Sequence, residues 1–129
     1  MPQIQTCNLT GPALDWAVAK CEGLNPKVVG GLVREVHQVF GPVLEYSTDW
    51  AQGGPIIERE GINTFKCNKL DEREPDKWGA HKVVPRKGMD NVEYSAALYL
   101  DGPTPLIAAM RCYVASKLGD SIDIPEELL

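Results

Sequence analysis

Two segments of the 129-residue chain carry apolar residues at helical spacing. The first follows Thr10, a residue type that caps helix N-termini, and ends at Gly23. The second follows Thr104 and Pro105 and ends at Gly119. The spacing predicts two main helices, and their apolar faces consist of Leu14, Ala17, Val18 and Cys21 in the first and Leu106, Met110, Tyr113, Val114 and Leu118 in the second.

Strand patterns occupy the remaining apolar segments. Residues 92–100 alternate side chains in the manner of a half-buried strand. Residues 63–68 form a second strand candidate, and the β-branched residues of 27–45, interrupted by Gly30-Gly31, favour two short strands around a turn. The tail at 122–128 is expected to add a short edge segment. Together with the helices, these strands predict an α+β fold with a small, largely antiparallel sheet packed against two main helices.

One block, residues 47–60, mixes polar, aromatic and Gly-Pro chemistry without a helical or strand period. Gly53 and Gly54 allow backbone conformations that other residues avoid, and Pro55 suits the first turn of a helix. We therefore predict a shaped loop that leads into a helix of about two turns, which ends at Gly61.

This loop is the candidate ligand site. Trp50 would stack on a planar ligand, the Gly53 and Gly54 N–H groups would bind phosphate, and Arg59 would neutralise its charge. A sugar hydroxyl would bind Asp49, and Gln52 would hydrogen-bond the ligand edge. The competing interpretation is that Trp50 fills the core and Asp49 caps the following turn. The candidate ligand-binding residues are Asp49, Trp50, Gln52, Gly53, Gly54 and Arg59.

Residues 69–91 are polar and contain Pro75, Pro85 and Gly88, so they are expected to form a long excursion with few core contacts. Trp78 is the residue expected to anchor this excursion. An apolar content of 43% in a chain of this length is sufficient for one domain, residues 1–129, with its own core. The predicted core comprises Leu14, Val18, Ile57, Leu98, Leu106, Met110 and Val114.

The composition argues against several classes of protein. A net charge of −5 argues against nucleic-acid binding, which needs clustered Lys and Arg. The N-terminus lacks the pattern of a signal peptide, and no apolar run reaches the length of a membrane span. We therefore expect a protein of the cytoplasm that is not bound to a membrane.

Candidate chemistry is sparse. The four cysteines, Cys7, Cys21, Cys67 and Cys112, form no C-x-x-C pair, so we expect reduced thiols and neither a metal nor a cofactor. No hydrolase, nucleotide-binding or metalloprotease motif is present. The carboxylates of Asp49 and Glu58 leave acid–base catalysis open as the least favoured function.

Three blocks of the chain carry a resemblance to a known family. They are residues 9–23, 47–62 and 102–120, and they resemble the NinX-like family of tailed-phage and prophage proteins. The resemblance covers rather less than half of the chain. It implies a phage accessory protein, but it carries over no catalytic or ligand residue.

Two functions stay open beside catalysis. The favoured one is binding of a small nucleotide-like or polar ligand without turnover. The other is docking on a host or phage protein through an exposed patch around Trp50 or Trp78. Formation of a homo-oligomer stays open in both.

Overall fold

The computed structural model describes residues 1–35, 42–67 and 77–129. These residues form an α+β domain with three α-helices, which confirms the predicted fold class. The helices are α1 (Gly11–Cys21), α2 (Trp50–Glu60) and α3 (Pro105–Leu118). None of these described helices is long and apolar enough to cross a membrane.

Seven strands form three small antiparallel sheets within the described residues. A ribbon near the chain ends pairs β1 (Gln3–Gln5) with β7 (Ser121–Asp123). A hairpin of β2 (Pro26–Val29) and β3 (Leu32–Glu35) follows α1. The third sheet has the order β4 (Asn63–Lys66), β5 (Trp78–Lys87) and β6 (Glu93–Gly102), with β5 in the centre.

Helix α3 is the centre of the core. It contacts the three-stranded sheet as well as α1 and α2, so most of its circumference is buried. Five predicted core residues are fully buried: Leu14, Val18, Leu106, Met110 and Val114. Leu98 and Ile57 pack against this core and are partly buried.

The structure confirms the predicted ends of the two main helices. Thr10 occupies the N-cap position of α1, although its side chain makes no capping hydrogen bond. The Thr104 hydroxyl accepts a hydrogen bond from Ile107 N at 3.1 Å, which closes the first turn of α3. Gly23 and Gly119 lie beyond the last turns of α1 and α3 with φ values of 77° and 87°, a region that favours glycine.

The hairpin predicted within residues 27–45 is present as β2 and β3. Gly30 and Gly31 have φ values of 59° and 77°, so both central residues of the two-residue turn are left-handed. A turn of this kind matches the twist of two antiparallel strands and favours glycine at both positions. Residues 36–41 of the same segment lie outside the described residues.

The region expected to be a loose excursion contains the central strand of the sheet. Residues 78–87 form β5, with Ala80 and Val84 buried on its inner face. Charged residues and Pro85 near these positions concealed the alternation in the sequence. Trp78 does pack against the core, whereas residues 68–76 of the expected excursion lie outside the described part of the chain.

Candidate functional site

The block expected to be a loop includes the first half of α2. The helix begins at Trp50, five residues before the predicted start, and Pro55 lies inside it. Asp49 is the N-cap, because its Oδ1 accepts a hydrogen bond from Ala51 N at 2.9 Å. Within this helix Ile56 is fully buried, whereas the predicted core residue Ile57 is only partly buried.

Gly53 is a packing residue in this helix. A Cβ at this position would overlap the carbonyl oxygen of Tyr46 and lie 2.6 Å from Leu106 Cδ1. The glycine therefore lets α2 approach its neighbours closely, and its own N–H donates to Asp49 O at 2.9 Å. Gly54 follows within the same helix. The backbone at residues 53–54 is thus helical and does not form the predicted loop.

Gln52 connects α2 to the chain that precedes it. Its Oε1 accepts a hydrogen bond from Glu45 N at 2.9 Å, and its Nε2 donates to Val43 O at 3.1 Å. The same Nε2 lies 3.3 Å from Asp49 Oδ2. Asp49 and Gln52 are therefore neighbours, and together they hold residues 43–49 against the start of the helix.

Trp50 occupies the first turn of α2, beside Asp49, and is 54% exposed. The other two tryptophans differ, because Trp16 is buried and Trp78 is partly covered. The competing interpretation of residues 49–50 is therefore correct for Asp49, which caps the helix, and wrong for Trp50, which does not fill the core.

Arg59 lies far from Trp50. The two residues are separated by most of the length of α2, which corresponds to about 14 Å along the axis. The Arg59 guanidinium makes a bidentate pair with Glu22 at 3.1 and 2.7 Å, and its Nε donates to Glu60 at 3.0 Å. Arg59 is therefore at the opposite end of α2 from the predicted site residues within 49–52.

Arg59 belongs to a network of polar groups that the sequence analysis missed, which we call the helix-end cluster. Lys82 Nζ lies 2.8 Å from Glu60 Oε1, and the Tyr113 hydroxyl donates to Glu22 at 2.6 Å. The cluster joins the ends of α1 and α2 to α3 and β5. Its members are Glu22, Arg59, Glu60, Lys82, Tyr113 and Lys117.

Neighbouring donors and cations keep the carboxylates of this cluster ionised. Hydrogen bonds from Lys82 and then Arg59 lower the pKa of Glu60 to about 2. Burial alone would raise the pKa of Glu22, but hydrogen bonds from Arg59 and Tyr113 outweigh burial and hold that pKa below its usual value. Both carboxylates are therefore paired ions at neutral pH, and the cluster acts as an ionic clasp between elements.

The carboxylate of Asp15 lies in a buried environment that raises its pKa instead of lowering it. Asp15 is 4% exposed, and its Oδ1 accepts a hydrogen bond from Ser47 N at 2.8 Å. Burial raises the pKa of Asp15 to about 6, although the Ser47 backbone and side chain act against this effect. The buried Ser47 Oγ lies near enough to lower that pKa but makes no hydrogen bond of good geometry within the described residues.

The outer face of the three-stranded sheet, the side away from α3, carries exposed apolar side chains. Phe65 on β4, Val83 on β5 and Tyr99 on β6 are 40%, 59% and 50% exposed, and we call these three the sheet-face patch. The Phe65 and Tyr99 ring centroids are 6.0 Å apart. Both rings lie over Gly79, where a Cβ would be 2.7 Å from Phe65 Cε2 and 2.9 Å from Tyr99 Cε2. The absence of a side chain at Gly79 therefore lets both rings lie close to the sheet.

A groove of about 680 Å³ runs beside β6. Leu98, Tyr99 and Leu100 line it, together with Gln3 and Gln5 of β1. A smaller cavity of about 120 Å³ reaches Asp15 and Thr48 and does not include Trp50 in its lining. The groove and the predicted ligand residues are thus in different parts of the molecule.

Two of the four thiols are poorly acidic: Cys112 is buried and Cys21 is partly buried. Burial raises the pKa of Cys21 to about 12 and that of Cys112 to about 11, so both thiols stay protonated at neutral pH. Among the residues that the structure describes, no three His, Cys, Asp or Glu side chains are grouped so that they could hold a metal ion.

Some of these features had a signal in the sequence. Asp49 followed three residues later by Gln52 is a capping-box pattern, which would have placed the start of α2 correctly. The helix-end cluster had no local signal, because the Glu22–Tyr113 contact spans 91 residues of chain. The sheet-face patch depends on β5, the strand that the sequence pattern concealed.

The family model described as Bacteriophage P22, NinX matches residues 5–117. The chain therefore belongs to this NinX family, as the three sequence blocks indicated. Among curated proteins, none matches the chain significantly.

Proposed function

We propose that this NinX family member is a phage accessory protein of the host cytoplasm that binds a phage or host protein through its sheet-face patch, without catalysis. The observation that carries the proposal is the exposure of Phe65, Val83 and Tyr99 on three adjacent strands. Exposed apolar side chains on neighbouring strands of one sheet face are characteristic of interaction surfaces.

The chemistry of the patch favours a protein partner. Phe65 and Tyr99 are aromatic, and aromatic side chains supply much of the binding energy at protein interfaces. The two rings already contact each other over Gly79, so their ordering on binding would cost little side-chain entropy. The net charge of −5 disfavours a nucleic acid on the same surface.

The helix-end cluster supports a role without turnover. Its two carboxylates are paired with cations or hydroxyl donors, and Glu60 has a pKa of about 2, which is too low for a general base at neutral pH. The thiols of Cys112, which is buried, and Cys21, which is partly buried, are protonated and therefore poor nucleophiles.

A photo-crosslinking amino acid at position 83 in infected cells tests the proposal. We expect a discrete adduct in which peptide mass analysis identifies a phage or host protein other than this chain. The matched control places the same amino acid at position 123, because Asp123 is exposed on β7 in a different sheet.

Phe65→Ser, combined with the crosslinker at position 83, should abolish the adduct, because it removes one of the two aromatic rings of the patch. Three results contradict the proposal: equal labelling from positions 83 and 123, an adduct that survives Phe65→Ser, or an adduct that contains copies of this chain alone.

Trp50 supports a second candidate function, capture of a planar nucleotide-like ligand at the start of α2. The observation in its favour is that Trp50 is exposed beside the polar side chains of Asp49 and Gln52. If a base stacks on this ring, Trp50→Ala should weaken binding by about 1–3 kcal/mol. Calorimetry with mono-, di- and cyclic nucleotides measures this effect.

Arg59→Ala is the comparison variant for the affinity measured with Trp50→Ala. Because Glu22 and Glu60 already occupy its guanidinium, Arg59→Ala should leave the affinity for a ligand at Trp50 unchanged. An equal loss of affinity in both variants would instead place the two residues in one site. The absence of heat with every nucleotide would eliminate this second candidate.

A further inference from the structure

We propose that β6 pairs antiparallel with β6 of a second copy of this chain, joining two three-stranded sheets into a continuous sheet of six strands. This inference concerns the edge of the sheet and is independent of the partner proposed for its outer face. Three observations support the pairing: within the described residues β6 is paired on one side only, its residues 94–100 carry no charge, and the β5–β6 hairpin exposes apolar side chains.

Along residues 94–100 the outer edge of β6 has no strand partner among the residues that the structure describes. The strand lies at the end of the sheet order β4-β5-β6 and is paired on one side only, within the described ranges of the chain. Natural edge strands usually carry charged residues, proline or bulges that block further pairing. Residues 94–100 contain no charged residue and no proline, and the strand is ten residues long.

The uncharged run is centred on Ala97, which selects a register. In a twofold antiparallel pair centred there, Ala97 would face its own copy, Leu98 would face Ala96, and Leu100 would face Tyr94. Within this run no like charges would meet across the two strands.

Acidic residues meet only at the ends of this register, where Glu93 of one copy would face Asp101 of the other. Each has a basic neighbour in its own chain. Glu93 lies opposite Lys87 in the β5–β6 pairing, and Arg111 donates to Asp101 O at 2.9 Å. These cations would moderate the repulsion between the two carboxylates.

The β5–β6 hairpin supplies the third observation. Within residues 85–95 every residue except Gly88 is exposed, including the apolar side chains of Met89 and Val92 and the ring of Tyr94. This arm therefore presents apolar side chains beyond the core of its own chain. Burial of these side chains against another copy would remove apolar area from water.

The groove beside β6 is where the base of that arm would lie. Its lining includes Leu98–Leu100, the part of β6 that the proposed register pairs with residues 94–96 of the second copy. The groove volume of about 680 Å³ provides space next to the strand edge for an added chain segment. Each copy would thus receive the base of the other's arm, and the contact would be made twice.

Two variants with opposite charges test the pairing. In Ala97→Lys the proposed register places two ammonium groups opposite each other, and in Ala97→Glu two carboxylates, so each variant alone should be monomeric. An equimolar mixture should associate again, because Lys would then face Glu. Sedimentation velocity and light scattering over a concentration series should give the wild type twice the monomer mass of 14.2 kDa.

Val83→Lys is the matched control for the added charge. Val83 pairs with Ala97 across β5 and β6 and lies on the same outer face, but it belongs to the central strand, so this variant should stay dimeric. Phe65→Ser should also stay dimeric, although it should lose the partner crosslinked at position 83. The two results together show whether the partner proposal or the β6 pairing has failed. Circular dichroism establishes that each variant is folded.

Four results would overturn the pairing. Three of them are a wild-type mass of 14.2 kDa at every concentration, a dimer that persists in Ala97→Lys, and a mixture of the Lys and Glu variants that stays monomeric. A dimer that is lost only in Val83→Lys would assign the contact to the sheet face and would equally contradict pairing through the edge.

Discussion

The Asp15 site and the helix-end cluster both cover carboxylates, yet they alter acidity in opposite directions. Asp15 accepts a hydrogen bond from Ser47 N and has no cation beside it among the described residues, so burial dominates and its pKa rises to about 6. Glu60 accepts hydrogen bonds from the cationic side chains of Lys82 and Arg59, and its pKa falls to about 2. The difference shows that the supply of cations, and not burial alone, decides whether a carboxylate strengthens this fold.

The largest expected loss of stability comes from introducing a carboxylate that has no hydrogen-bond partner or cation. Met110 is fully buried in α3, so Met110→Asp would place a charge among apolar side chains that offer neither N–H groups nor cations. We expect a loss of about 4 kcal/mol or more, enough to prevent folding or to leave a molten state. Urea unfolding followed by circular dichroism measures this, with Met110→Leu as the volume-matched control. A cooperative Met110→Asp variant with unchanged melting would show that α3 is not the centre of the core.

Asp15→Asn should stabilise the protein above pH 6 by about 1–2 kcal/mol. The pKa of Asp15 is raised on folding, so its contribution to stability is fully present below about pH 3.8 and is lost as the pH rises through 6. Asparagine removes that loss, and its amide can still accept from Ser47 N while it donates to Ser47 Oγ, which makes no hydrogen bond within the described residues. Thermal melts across this pH range measure the difference, which should disappear at the acid end.

Asp123→Asn is the control for that series, because Asp123 is exposed on β7. Its melting temperature should differ little from the wild type across the same pH range. A stabilisation by Asp15→Asn that is independent of pH would mean that ionisation of Asp15 is not the cause.

Glu60→Gln should have the smallest of the three effects, a loss of about 1 kcal/mol at neutral pH, because solvent screens this partly open cluster. The pKa of Glu60 is lowered on folding, so its contribution is present above about pH 4.5 and is lost as the pH falls through 2. The difference from wild type, measured by urea unfolding, should therefore shrink on acidification, the reverse of Asp15→Asn. Glu58→Gln, on the same helix but exposed, provides the comparison. Equal losses in the two variants would argue against the clasp.

The sequence predicted the helical half of the fold more accurately than the sheet. The apolar spacing and the residues Thr104 and Gly119 are local signals, and they located α3 correctly. Strand β5 was missed because charged residues, Lys82 among them, interrupt a weak alternation whose buried members include only Ala80 and Val84. A central strand with charged residues at its exposed end does not differ locally from a polar loop.

The candidate site was predicted in part. The polar block at residues 49–52 does hold Asp49, Trp50 and Gln52 in one place, because a helix start brings neighbouring residues together. The position of Arg59 could not be inferred, since it depends on contacts with Glu22 and Tyr113, which are distant in the chain. The ligand roles of all six predicted residues stay predictions.

Gly53 has a consequence for how mutations of this protein should be interpreted. Gly→Ala inside an exposed helix normally adds about 1 kcal/mol of stability, because alanine favours helical backbone. At Gly53 the added methyl group would meet the Tyr46 carbonyl oxygen and Leu106, so α2 would have to move away from α3. Gly→Ala at this position is therefore expected to lower the free energy of unfolding, whereas in an exposed helix it would raise it. Gly53, which the sequence suggested as part of a phosphate-binding loop, instead sets the distance between α2 and the core.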